Sequence, residues 1–201
     1  MGTMSGPADA VDALDAGGVI VIPTDTVYGL AARPTLPDAV KRIFEVKERP
    51  DERALPVLGG SIDPLREVAL LDEVALRLAE RFWPGPLSLV LPRAAGFDHP
   101  LGGTDDGTVA VRIPAFDATL DLLTHTGPLA VTSANRSGAP PAVTVDEARA
   151  ALGDAIDVFI DGGRVGGAPS TVVTLVGPPR VLRAGALAAE AIEEVLGAPL
   201  A

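Results

Sequence analysis

Most side chains in this 201-residue sequence that could do chemistry stand at the ends of aliphatic runs. Thr24, Asp25 and Thr26 follow the run 19–22. Arg112 lies at the end of 108–113, Ser133 and Asn135 follow 128–132, Ser170 and Thr171 open 171–176, and Arg183 closes 180–183. Lys47 and Arg49 stand where a helical pattern breaks before Pro50. Hydroxyls, an amide and cations of this kind suit a small anionic ligand. Arginine and lysine grip phosphate or carboxylate, while serine and asparagine orient it or bind sugar and base. If the strand ends meet at one side of a sheet, they form a concave polar pocket able to hold a nucleotide. Such a pocket would catalyse attack at phosphorus by positioning and charge neutralisation. The competing reading of any one arginine is a solvated or carboxylate-paired surface residue. For 23–28 it is a satisfied Asx/ST turn after a buried strand.

Other chemistries are excluded or disfavoured. There is no G-x4-GK[ST] loop and no strand-borne G-x-G-x-x-G, and the run GGRVGGAPS has no helical pattern after it. The two histidines, His99 and His125, cannot form an HExxH zinc site, and they make a His-based triad an ad hoc choice. His125 reads as a cation at a helix end. With no cysteine there is no disulfide, thiolate metal site or cysteine nucleophile, which fits a cytoplasmic protein.

The elements that must position these groups follow from periodicity and punctuation. Helices are expected over 7–16, 37–47, 62–69, 72–82, 114–125, 148–152 and 187–196. Strands are expected over 18–23, 55–58, 87–91, 108–113, 128–132, 156–160, 171–176 and 180–183. Thr144 and Glu147 have capping-box spacing. WPGP at 83–86 is a rigid break, and 93–107 is a long loop. Strands alternate with helices early and cluster late, which predicts α/β architecture with a mixed sheet. The runs 19–22 and 129–131 read as buried on both faces. Length and an apolar content of 47% predict one domain with an aliphatic core. No apolar run approaches a membrane span, and the N-terminus lacks a signal core. The net charge of −11 disfavours a protein that coats nucleic acid.

Eight segments in order carry a family resemblance: PTDTVYGL at 23–30, KERP at 47–50, WPGPLSLVL at 83–91, VAVRIPA at 109–115, SANRSGAPP at 133–141, IDGG at 160–163, PSTVV at 169–173 and VLRAG at 181–185. The chain resembles the YrdC/Sua5 family, whose members make threonylcarbamoyl-adenylate. The resemblance implies a twisted mixed β-sheet flanked by helices, with a concave polar cleft at the strand ends. It implies a single domain over 7–197, of the short form without a further C-terminal domain. The implied reaction takes L-threonine, bicarbonate and ATP to L-threonylcarbamoyl-AMP, pyrophosphate and water. The product would pass to a separate tRNA threonylcarbamoyl transferase, to make N6-threonylcarbamoyladenosine at position 37.

Roles are implied as well. Lys47 and Arg49 would grip the ATP phosphates. Ser133, Asn135 and Arg183 would face the nucleotide, with backbone contacts from Thr108 and Pro141. Thr26, Arg112 and Ser170 would surround threonine, with Arg112 on its carboxylate. Mg²⁺ would arrive with ATP and need no protein cage, Asp25 being the nearest carboxylate. The chain departs from the family pattern at Arg53, Ala54 and Leu58, the last replacing a frequent histidine, and in the PPAVT text around Pro141. The acidic balance implies weak tRNA binding. The alternatives are a carbamoyl-adenylate-handling paralogue and a non-catalytic RNA-binding module.

Overall fold

The computed structural model describes residues 7–48, 54–104 and 106–201. Among the described residues, nine strands form one mixed sheet in the order β7-β1-β2-β6-β3-β5-β4-β8-β9. They are β1 Ile20–Ile22, β2 Gly29–Ala32, β3 Val57–Leu58, β4 Leu87–Pro92, β5 Thr108–Arg112, β6 Leu129–Ser133, β7 Val158–Phe159, β8 Thr171–Thr174 and β9 Arg180–Arg183. Parallel pairs (β1/β7, β3/β5, β4/β8) are interleaved with antiparallel ones. The seven α-helices among the described residues are α1 Pro7–Asp15, α2 Pro37–Lys47, α3 Ile62–Arg66, α4 Glu73–Phe82, α5 Asp117–Thr126, α6 Val145–Leu152 and α7 Ala189–Leu196. All seven fall within or close to the ranges expected.

Side-chain alternation divides the core between the two faces of the sheet. The larger cluster takes Val19 just before β1 and Val21 within it, Leu87, Leu89 and Leu91 of β4, and the apolar sides of α2, α3, α4, α6 and α7. The smaller takes Ile20 and Ile22, Leu129 and Val131, and the apolar sides of α1 and α5. Thus β1 and β6 are buried on both faces, as their unbroken aliphatic runs predict. Across β5, β4 and β8 only one face is fully covered. Thr108, Ala110, Val90 and Val172 on the other face are half-buried.

Two helix starts behave as their sequences require. The Asp72 carboxylate accepts from the Ala75 amide and caps α4. Thr144 Oγ1 accepts from the Glu147 amide, and the Glu147 carboxylate accepts from the Val143 amide, one residue earlier than an ideal capping box. One strand was not foreseen. β2 reads GLAA, which has little strand propensity. It becomes a strand because β1 and β6 pair with it on both sides.

Candidate functional site

The 23–28 segment leaves β1 and turns back into β2. The Thr24 hydroxyl organises the turn: it donates to the Val27 carbonyl (2.6 Å) and accepts from the Thr26 and Val27 amides (both 3.2 Å). The glycine run at 162–167 packs against this segment. A Cβ on Gly166 would crowd the Asp25 carbonyl oxygen, and the Gly167 amide donates to Thr26 O at 2.6 Å. Tyr28 is fully buried. Its hydroxyl donates to Gly163 O (2.7 Å) and accepts from the Gly162 amide (3.0 Å). Burial pushes its pKa above the usual 10.0; the Gly162 bond opposes this and the Asp161 carboxylate adds to it.

Arg112 ends β5 and is buried. Its guanidinium donates to Gly85 O from Nε (2.8 Å), to Thr26 Oγ1 from Nη1 (3.0 Å) and to Asp25 Oδ1 from Nη2 (2.5 Å). Gly85 is held in turn by its amide bond to Ile113 O, so the WPGP break places the oxygen that receives Arg112. Burial lowers the Arg112 pKa, the Asp25 charge raises it, and the nearby Arg183 charge lowers it again. Arg183 Nη2 donates to Ser170 Oγ (3.0 Å), and Nε and Nη2 both donate to Ser170 O. Ser170 Oγ lies 2.9 Å from Ser88 Oγ, and both residues are buried. Thr26, Arg112 and Ser170 thus belong to one neighbourhood, which also includes Arg183. Thr24, Asp25 and Ser88 belong to it too; Thr24 and Asp25 had been singled out, and Ser88 had not. The signal for Ser88 was present: a polar residue alternating with Leu87 and Leu89.

A second group forms around Lys47, at the end of α2. Its ammonium donates to Ser133 O (2.5 Å), Asn135 O (2.7 Å) and Asn135 Oδ1 (3.2 Å). The Ser137 amide returns a bond to Lys47 O. Glu48, left-handed at φ 51°, pairs with Arg136. Asn135 Nδ2 donates to Arg136 O and Ala139 O, closing the SAN turn. The Ser133 hydroxyl makes no hydrogen bond among the described residues. Pro141 precedes Ala142, whose carbonyl accepts from the Tyr28 amide. Thr108 is engaged locally: its hydroxyl and amide bond Asp106, holding that carboxyl below the usual range, and its carbonyl accepts from Arg93. Arg49 and Arg53 lie outside the described residues.

By strand register the candidate residues fall at two levels of the sheet. Arg112 pairs with Leu58 and Leu58 with Leu129, whereas Ser133 lies at the far end of β6. That offset is about 13 Å along the strand. Arg183, paired with Val172, lies near the level of Arg112. The 24–28 segment connects the two groups. Thr26 bonds Arg112, while Tyr28 O accepts from the Ala134 amide in the SAN turn. Leu58, where the family often has histidine, is buried in the smaller core cluster beside Arg112. Two surface cavities, of about 340 and 470 Å³, are lined by Trp83, Pro84 and Ile113 and by Phe44 and Arg93.

Comparison with known proteins agrees with this geometry. The Sua5/YciO/YrdC family model, described as "Telomere recombination", matches residues 12–185. The chain is 42% identical over 195 residues to a Mycobacterium tuberculosis protein, covering 96% of this chain and 89% of that one. It is 42% identical over 185 residues to the threonylcarbamoyl-AMP synthase of Pyrococcus abyssi, covering 90% of this chain and 54% of that enzyme. The crystal structure of P. abyssi Sua5 complexed with L-threonine superposes with a TM-score of 0.90 at 40% identity, covering 96% of this chain and 58% of that one. The chain therefore spans a little over half the length of its archaeal relative. With the family model spanning most of its length and the fold reproduced, this chain belongs to the Sua5/YciO/YrdC family.

Proposed function

We propose that this chain is a threonylcarbamoyl-AMP synthase, converting L-threonine, bicarbonate and ATP to L-threonylcarbamoyl-AMP, pyrophosphate and water. The observation that carries the reading is the buried Arg112, flanked by Thr26, Asp25, Ser170 and Arg183, in a chain 40% identical to a structure described with L-threonine. Arg112 holds the threonine carboxylate, since a guanidinium fork matches that group. The amine, as its neutral form, attacks bicarbonate and loses water to give a carbamate. A carbamate oxygen then attacks the α-phosphorus and pyrophosphate leaves. Lys47 and Arg49 face the phosphates, and Ser133, Asn135 and Arg183 face the nucleotide. Lys47 already bonds three oxygens of the SAN turn. Phosphate contact therefore requires it to exchange a partner, which couples ATP binding to a rearrangement of 133–135.

Mg²⁺ carried by ATP would supply charge neutralisation at the pyrophosphate leaving group. Asp25 Oδ1 is taken by Arg112 and the Ala115 amide. We therefore give the ion no protein ligand. The product goes to a tRNA threonylcarbamoyl transferase. The test is incubation with ATP, Mg²⁺, bicarbonate and labelled threonine, with detection of pyrophosphate and a threonine-containing adenylate. Turnover with carbamoyl phosphate but not threonine would overturn the proposal in favour of a carbamoyl-adenylate enzyme.

A further inference from the structure

Behind each of two site hydroxyls stands a second, buried one. Thr24 lies behind Thr26 at 3.0 Å, and Ser88 lies behind Ser170 at 2.9 Å. Geometry locates the proton in the first pair. Thr24 Oγ1 is 2.6 Å from Val27 O, a carbonyl with no proton to give, so Thr24 is the donor there. Its two lone pairs face the Thr26 and Val27 amides, so the Thr26 proton is not held by Thr24. Arg112 Nη1 donates to Thr26 Oγ1 at 3.0 Å. Thr26 therefore keeps both a lone pair and its proton for a ligand.

The second pair is open in direction. Ser170 Oγ accepts from Arg183 Nη2, and its contact with Ser88 can run either way. Ser88 Oγ has no other partner among the described residues. If Ser170 donated to Ser88, it would turn a lone pair toward any anionic oxygen in the site. If Ser88 donates to Ser170, the Ser170 proton is released toward that oxygen, and every group is satisfied. We propose that Ser88 is a positioning residue that makes Ser170 a proton donor to the substrate carboxylate. This rests on the reading above that Thr26 and Ser170 line the threonine site.

The test compares wild type, S88A and S88T by equilibrium binding of labelled L-threonine and by steady-state pyrophosphate release. In S88A the threonine Kd and KM rise about tenfold, the loss expected for one oriented bond to a charged group. The KM for ATP and the thermal midpoint stay near wild type. S88T keeps the hydroxyl and returns threonine affinity to within about twofold of wild type. Unchanged threonine affinity in S88A overturns the proposal. So does an equal rise in the KM for ATP, which marks general disruption. If wild type binds threonine but releases no pyrophosphate, the synthase reading fails while the binding arm still judges Ser88. If wild type binds no threonine, both fail.

Discussion

At the scale of single residues, Arg112 is where fold and chemistry are hardest to separate. Its buried guanidinium is neutralised by Asp25 and tied to two loops. Removing it leaves Asp25 without its cation. R112A is expected to lose about 3–5 kcal/mol of stability, measured by denaturant unfolding. R112K keeps the charge without the fork, and its kcat/KM for threonine should fall by about 100-fold. Tyr28 is a different case. Its hydroxyl is held between Gly162 and Gly163. Y28F leaves those groups without a partner and should cost about 1–3 kcal/mol at neutral pH. Because its folded-state pKa is raised above 10.0, the folded chain holds the phenolic proton more tightly than the unfolded chain does. Its stabilisation is therefore complete below about pH 10 and fades as pH climbs through the raised value. Unfolding curves from neutral to alkaline pH should show this decline in wild type and not in Y28F.

At the scale of elements, the site depends on how closely β9 approaches the start of β8. Gly185, just after β9, lies against the backbone of Pro169, Ser170 and Thr171, where a Cβ would overlap the Pro169 carbonyl oxygen. The Ala186 amide bonds that same oxygen. G185A must push the two segments apart and so separate Arg183 from Ser170. The expected cost is about 1–3 kcal/mol, together with weakened threonine binding measured by calorimetry. G197A serves as the control. It lies at the left-handed cap of α7 with open space around it. It should cost about 1 kcal/mol and leave binding intact. The VLRAG motif was legible as a strand and an arginine. The need for its glycine was not, because the crowding comes from residues some fifteen positions upstream.

At the scale of the whole molecule, charge decides what kind of partner is plausible. The net charge is −11, and several cations are already paired: Arg33 with Asp15, Arg42 with Asp157, Arg136 with Glu48 and Arg164 with Glu147. For Arg136 and Arg164 this is the carboxylate-paired reading that the sequence had left open. Such a surface should bind tRNA no more tightly than about 10 µM near physiological salt, and binding should weaken steeply as salt rises. Fluorescence anisotropy with labelled tRNA checks this; nanomolar affinity would show that the remaining basic residues act together.

By itself the sequence determined the seven helices, the aliphatic strands and the small set of residues able to handle an anion. Those follow from local periodicity, punctuation and side-chain chemistry, and they do not need a partner segment. Tertiary structure alone decided that GLAA is a strand, since only pairing on both sides makes it one. It also decided how the candidate residues are grouped. Lys47 joins Ser133 and Asn135 at one level of the sheet, and Arg112 joins Ser170 and Arg183 at another, because strand direction and register are relations between segments. The proton of Thr24, directed to the Val27 carbonyl, is likewise invisible in the letters. A hydroxyl becomes a donor or an acceptor only through the atoms the fold places around it.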